Sequence, residues 1–221
     1  MSELAVDAVA VRLAAVRERV IDAGGRDVTI VAVTKGFGRD AVDAAVASGC
    51  VDIGENYAQE AVAKLADAPP GVRVHFIGRL QSNKVAMLAP IVALWQTVDR
   101  TSVGQAIARR APGARVLVQV NVSDEPQKGG CEPGATEALV TDLRGEGLDV
   151  AGLMTIGRTG PVSEALAGFR LLRRLCDELA LPICSMGMSD DLDVAVAEGA
   201  TMVRIGNALF GPRPDRTLRA N

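Results

Sequence analysis

The sequence predicts an α/β fold, a (β/α)8 barrel of the TIM type with an extra N-terminal helix. Three observations lead there. Strand-like and helix-like runs alternate along the 221 residues, which calls for a parallel sheet with helical crossovers. Eight strand-like runs can be counted, the number at which such a sheet closes on itself. The most strand-like of them, V-T-I-V-A-V-T-K from Val28 to Lys35, is continuously apolar, as a strand buried on both faces should be. An open doubly wound sheet is the alternative, but its G-x-G-x-x-G turn after the first strand is replaced here by K-G-F-G-R-D.

The elements follow in order. Residues 3–23 place Leu4, Val6, Val9, Leu13, Val16 and Val20 mostly three or four apart, an amphipathic helix that Gly24 and Gly25 stop. After the first strand, R-D-A-V-D-A-A-V-A-S-G is a short helix closed by Gly49. V-D-I-G-E is the second strand, followed by a helix through Leu65 that Pro69, Pro70 and Gly71 break. V-R-V-H-F-I-G is the third strand, Gln81 to Ala89 a helix, Ile91 to Val98 the fourth strand, and Ser102 to Arg110 a helix ended by Pro112 and Gly113. Arg115 to Val122 is the fifth strand. The loop S-D-E-P-Q-K-G-G after it exceeds the roughly 2–6 residues usual in such units, a mark of a functional loop. A helix from Glu137 to Leu143, a strand from Leu148 to Thr155 and a long helix from Ser163 to Ala180 come next. A short strand from Pro182 to Ser185, a helix opening at Ser189 and the strand A-T-M-V-R-I-G complete the count. The tail beyond leaves little room for an eighth outer helix, so the N-terminal helix is expected to supply that cover.

Residues 1–221 read as one domain, with 48% hydrophobic residues to fill one core. The opening M-S-E-L-A-V-D is acidic rather than a basic leader, and no apolar run approaches the roughly 18 residues of a membrane span, which points to the cytoplasm. Cys50, Cys131, Cys176 and Cys184 are scattered without a C-x-x-C pair, and a single histidine argues against a metal site. The net charge of -3 arises from interspersed signs, unlike the basic footprint of a nucleic-acid binder.

On this map the polar residues gather at the carboxyl ends of the strands, where barrel enzymes build their sites. Lys35 ends the first strand; Glu55 and Asn56 end the second; Met154 and Thr155 end the sixth. A lysine held there against apolar walls can lose its proton and act as an amine. Ser189 is a natural helix N-cap, and the turn Gly206-Asn207 after the last strand offers backbone amides. Together they outline a phosphate cradle of the kind barrels build after strands seven and eight. An amine opposite a phosphate cradle suits a phosphate-bearing aldehyde, of which pyridoxal phosphate (PLP) is the familiar case. Arg204, two residues before Gly206, can face the ring nitrogen; as a pure donor it would keep that nitrogen unprotonated and weaken the ring as an electron sink. A barrel enzyme acting on a phosphorylated sugar would use the same cradle. His75 inside the third strand reads as a hydrogen-bonded core residue, Gln81 to Lys84 as a capped helix start, and Asp190 and Asp191 as first-turn acids.

The segments V-A-V-T-K, G-E-N-Y-A-Q-E, H-F-I-G-R-L-Q-S-N-K, Q-V-N-V-S-D-E-P-Q-K-G-G and S-M-G-M-S-D-D-L…G-A-T-M-V-R-I-G-N-A-L-F-G resemble the successive signatures of the YggS/PROSC family of pyridoxal phosphate homeostasis proteins, from about Val28 to Arg213. The resemblance implies a fold-type III PLP-binding barrel, like the N-terminal domain of alanine racemases. It implies PLP held as an internal aldimine, a Schiff base on Lys35, by a carrier or regulator with no established reaction. It further implies Arg204 at the pyridine nitrogen, Ser189 with the amides of Gly206 and Asn207 at the phosphate, Asn56 at the ring edge, and Met154 and Met186 nearby. Transient contact with PLP-dependent apoenzymes and a monomeric state also come from the resemblance. Two positions depart from the family: Asn207 stands where serine or threonine is usual, leaving the backbone amide as the contact, and Lys35 is followed by G-F-G rather than a Thr-Lys-Pro type of turn. A PLP-dependent amino-acid racemase is the alternative reading. It would need a base on each face of the substrate, and its relatives carry an additional β domain.

Overall fold

Eight parallel strands close into a barrel in the computed structural model, which describes residues 5–123 and 125–213. The strands are β1 (Thr29–Val33), β2 (Asp52–Glu55), β3 (Arg73–Phe76), β4 (Val92–Val98), β5 (Arg115–Gln119), β6 (Asp149–Met154), β7 (Ile183–Ser185) and β8 (Met202–Ile205). Each pairs with its sequence neighbour, and β1 closes the ring on β8 with Val31 opposite Arg204 and Ala32 opposite Ile205. The helices are α1 (Val6–Asp22), α2 (Arg39–Ala47), α3 (Ala58–Leu65), α4 (Val85–Leu88), α5 (Thr101–Arg110), α6 (Thr136–Gly145), α7 (Val162–Glu178), α8 (Leu192–Ala197) and α9 (Asn207–Phe210).

Helix α1 buries Val9, Leu13, Val16 and Val20 and packs against α2, α8 and α9, giving the cover expected of it where α9 is a single turn. Its apolar stripe is four side chains deep, each worth about 1.5–3 kcal/mol when fully buried. Gly24, at φ 85°, lets the chain reverse, and the amide of Gly25 returns to the carbonyl of Val20 at 2.9 Å. The loop after β5 contains a tight turn over Pro126–Lys128. It is clasped to the β6–α7 loop by Lys128 Nζ on the Gly157 carbonyl and by the Thr159 amide on Glu125 at 2.9 Å. Asp124 of that loop, residues 1–4, which include the first two of the expected first helix, and the tail after Arg213 lie outside the described residues.

Several boundaries differ from the sequence reading. Strand β1 stops at Val33, so Lys35 stands in the following turn rather than at the strand's last position. The segment 81–89 opens as a 3-10 turn, Ser82–Lys84, before α4. The helix expected from Ser189 begins at Leu192, because Asp191 folds its carboxylate back onto the Met188 amide at 2.5 Å and makes 189–191 a turn. Ser189 is therefore not the cap of that helix, and Asp190 lies outside its first turn.

Two layers fill the core. Between sheet and helices lie residues such as Leu13, Ile53, Trp95, Phe169 and Val203, all at most 1% exposed. Inside the barrel a smaller cluster, Val31, Leu94, Leu117, Ala151, Met154 and Met202, shares the space with polar side chains. Gln96 on β4 bonds Ser185 on β7 and approaches Met202 on β8, contacts across the ring that only inward-facing residues can make. Among the described residues, no helix is long and apolar enough to cross a membrane. Nor is there a group of three or more His, Cys, Asp or Glu placed to hold a metal.

Candidate functional site

The turn that carries Lys35 is held from behind by α3. Gly36, at φ 77°, gives its amide to Glu60 at 3.0 Å, a backbone conformation that a β-carbon would strain. Lys64 Nζ donates to the carbonyls of Thr34 at 2.8 Å and Phe37 at 3.2 Å, and also pairs with Glu55. Thr34 Oγ1 donates to the same Glu55 at 2.5 Å, while Phe37 packs on Phe210 with ring centroids 5.3 Å apart. The G-F-G sequence thus builds a pinned turn, with Lys35 directed away from these anchors into a cleft at the carboxyl end of the barrel.

That cleft encloses about 180 Å³ and brings together seven of the eight residues singled out from the sequence: Lys35, Asn56, Met154, Ser189, Arg204, Gly206 and Asn207. Met186 is not among them. It is fully buried in the layer between sheet and helices, its sulfur accepting from Cys184 Sγ at 3.7 Å, because β7 turns Ser185 inward and its neighbour outward. The stretch 81–84 also lies away from the cleft. A larger hollow of about 440 Å³ sits at the opposite, amino end, between α1 and the starts of β1 and β2, and contains none of these residues.

Lys35 is half-buried, and its amine has no hydrogen-bond or ion-pair partner among the described residues. Burial, with the cations of Arg213 and Arg204 nearby, pushes it below the ordinary lysine value, and Glu55 works weakly in the other direction. Arg204 is 5% exposed and held at two points, Ser185 Oγ at 2.8 Å and the Thr155 carbonyl at 2.7 Å. Its guanidinium has five N–H donors, so donors remain for a group in the cleft. Burial lowers its pKa to about 10, still well above neutrality, so it stays cationic. Ser189 Oγ accepts from the Ala208 amide at 3.4 Å and so sits beside the start of α9, whose first amides have no intrahelical acceptor. Asn56 Oδ1 is buried without a hydrogen-bond partner among the described residues.

Sequence reasoning missed Val33, Ile77, Ile156, Met188, Asp190 and Arg213 as lining residues. Val33 and Ile77 were findable, since each lies an even number of residues from an inward-facing strand position. Arg213 had no local signal. It comes from the aperiodic tail and lies over Gly36, within 3.4 Å of where a β-carbon there would stand.

An eight-stranded parallel barrel with an unpaired lysine after its first strand and an arginine on its last defines a class, and the family model for the alanine racemase N-terminal domain matches residues 4–214. The solved alanine racemase of Corynebacterium glutamicum shares the fold at a TM-score of 0.74 and 17% identity, over 96% of this chain and 62% of its own. Within that class the chain belongs to the pyridoxal phosphate homeostasis protein family. It is 42% identical to the Pseudomonas aeruginosa pyridoxal phosphate homeostasis protein over 91% of this chain and 93% of that one. The mouse protein of the same name is 34% identical over 83% of this chain and 76% of its own. PipY of Synechococcus elongatus, solved with PLP bound, matches with a TM-score of 0.81 and 33% identity, over 92% of this chain and all of that one.

Proposed function

We propose that this protein binds PLP at the carboxyl-end cleft, covalently through Lys35, and acts in intracellular PLP homeostasis by buffering or delivering the cofactor. The observation that carries the reading is the half-buried, unpaired Lys35 amine sharing one small cleft with Arg204. The residues fit the group: Asn56 Oδ1 is a buried acceptor without a partner among the described residues, and the lining combines apolar side chains with a few placed polar ones. When bound, PLP supplies an aldehyde to the amine and an aromatic ring that can take up electrons. Arg204 would donate to the ring nitrogen. Ser189 and the amides of Gly206 and Asn207 would hold the phosphate, Asn56 would meet the ring's edge, and Met154 would close the floor. The names of the relatives and PLP-bound PipY support this assignment. One domain spanning the chain, a monomeric state, a cytoplasmic setting and transient contact with PLP-dependent apoenzymes complete the reading.

A carrier needs the amine and does not need a catalytic pair. Racemisation asks for a base on each face of the substrate. Among the described residues that line this cleft, Lys35 is the one amine and Asp190 the one carboxylate, the latter in the turn beside Ser189. Arg204, always a donor, would also restrain a ring held there from storing electrons. Holo-protein incubated with single amino-acid enantiomers is expected to leave their chirality unchanged, while passing PLP to a PLP-free apoenzyme. Steady racemisation that disappears in Lys35→Ala would replace the carrier with the enzyme.

The lowered Lys35 pKa fixes a pH dependence. A base whose pKa falls in the folded state is more often the neutral nucleophile at a given pH, so covalent uptake of PLP should accelerate with pH. Uptake should then level off below the ordinary lysine value of 10.5. Stopped-flow absorbance on apo-protein measures this, and a rate still climbing through that value would contradict it.

A further inference from the structure

Behind Arg204 a line of buried polar side chains crosses the barrel interior. Arg204 Nη1 donates to Ser185 Oγ at 2.8 Å, and Ser185 Oγ donates to Gln96 Oε1 at 2.7 Å. Gln96 Nε2 meets His75 Nδ1 at 2.8 Å, and His75 Nε2 meets Asp52 Oδ1 at 2.9 Å. All five residues are 7% exposed or less. The donor directions run consistently along the line. Arginine can only donate, so Ser185 accepts from it, and the serine gives its own proton to Gln96, whose carbonyl end faces it. The amide nitrogen of Gln96 then faces His75, making Nδ1 an acceptor and leaving the ring proton on Nε2 for Asp52. A carboxylate can only accept, which agrees from the far end. At that end burial works against the charge, yet bonds from His75 and Arg73 keep the Asp52 carboxyl below its ordinary value.

Every bond dipole therefore points the same way, from the guanidinium to the carboxylate, and bonds aligned in series polarise one another. None of Asp52, His75 or Gln96 lines the cleft, so the cofactor reading leaves them without a role. We propose that Asp52, His75, Gln96 and Ser185 are positioning residues, a relay that orients Arg204 toward the cofactor's ring nitrogen. The proposal rests on the PLP reading given above.

The test compares the unsubstituted protein with Gln96→Met, His75→Leu and His75→Asn. Asparagine can return an amide oxygen close to where His75 Nδ1 accepts, whereas leucine cannot. Three readouts are taken: the thermal midpoint of the apo-protein, the affinity for PLP, and the nitrogen chemical shift of 15N-labelled PLP in the complex. Gln96→Met and His75→Leu should bind PLP about tenfold more weakly, or about 1.4 kcal/mol. Both should displace the ring-nitrogen signal in the same sense, and His75→Asn should restore most of it. A purely structural role would lower the thermal midpoint and leave the ring-nitrogen signal in place, which overturns the relay while PLP binding stands. An unsubstituted protein that takes up no PLP removes the cofactor reading, and the relay with it. Gln96→Met nearly preserves side-chain volume, so it decides the matter if His75→Leu does not fold.

Discussion

After incubation with PLP and removal of the unbound cofactor, Lys35→Ala is expected to be folded and colourless, whereas the unsubstituted protein retains a visible absorbance band that borohydride abolishes. The chain has four lysines, and the structure separates them. Lys64 is buried against Glu55 and Glu60, Lys128 is paired with Glu125, and Lys84 stands on a 3-10 turn outside the cleft. Only Lys35 combines an unpaired amine, partial burial and a place in the cleft. Because it makes no bond with a described residue, its truncation should change unfolding free energy by no more than about 0.5 kcal/mol. Absorbance and urea unfolding on the same preparation separate lost attachment from lost fold. A band that persists in Lys35→Ala would move the attachment to another lysine.

The second large effect falls on Lys64, which touches no part of the cleft. Lys64→Met is expected to cost about 3–5 kcal/mol, since it leaves Glu55 buried without its cation and strips the donor from the carbonyls of Thr34 and Phe37. Glu55 is wholly buried, and one of its carboxylate oxygens already lacks a partner among the described residues. Burial raises its pKa above the ordinary 4.5, and Lys64 is the main force opposing that rise. The sign follows. A carboxyl with a raised folded pKa takes up a proton on folding, so its contribution falls as pH rises from the unfolded value through the folded one. Removing Lys64 extends that window upward, and the deficit should be larger at pH 7 than at pH 5. Glu55→Leu combined with Lys64→Met should recover most of the loss, because an apolar pair does not leave a charge behind. Urea unfolding of the single and double variants at both pH values measures this; equal deficits at the two pH values would show that Glu55 is not the source.

The barrel was legible because its signals are local. A continuous β-branched run marks β1, glycines close α1 and α2, and eight alternations fix the closure. Lys35 was legible as the first charge after an apolar strand, and Arg204 as the one charge inside the last. What escaped depends on side chains that meet across the fold. Ser189 looks like a helix cap in sequence, but Asp191 folds back onto the Met188 amide and moves the helix start to Leu192. Met186 sits beside residues that face the interior, and in a strand as short as Ile183–Ser185 the alternation is too brief to reveal that it points the other way. His75 reads correctly as a hydrogen-bonded core residue, yet its partners Asp52 and Gln96 come from neighbouring strands, 23 and 21 residues away. Arg213 reaches the cleft from a tail with no periodicity to place it.

The central claim is that one amine, Lys35, holds the cofactor. Reducing the PLP-loaded protein with borohydride and mapping its peptides by mass spectrometry tests this most directly, since it distinguishes the four lysines from one another and from the α-amino group. A single stoichiometric addition on the peptide containing Lys35 is the predicted result. An addition on Lys64, Lys84 or Lys128 in its place, or none on a protein that still binds PLP, would contradict it.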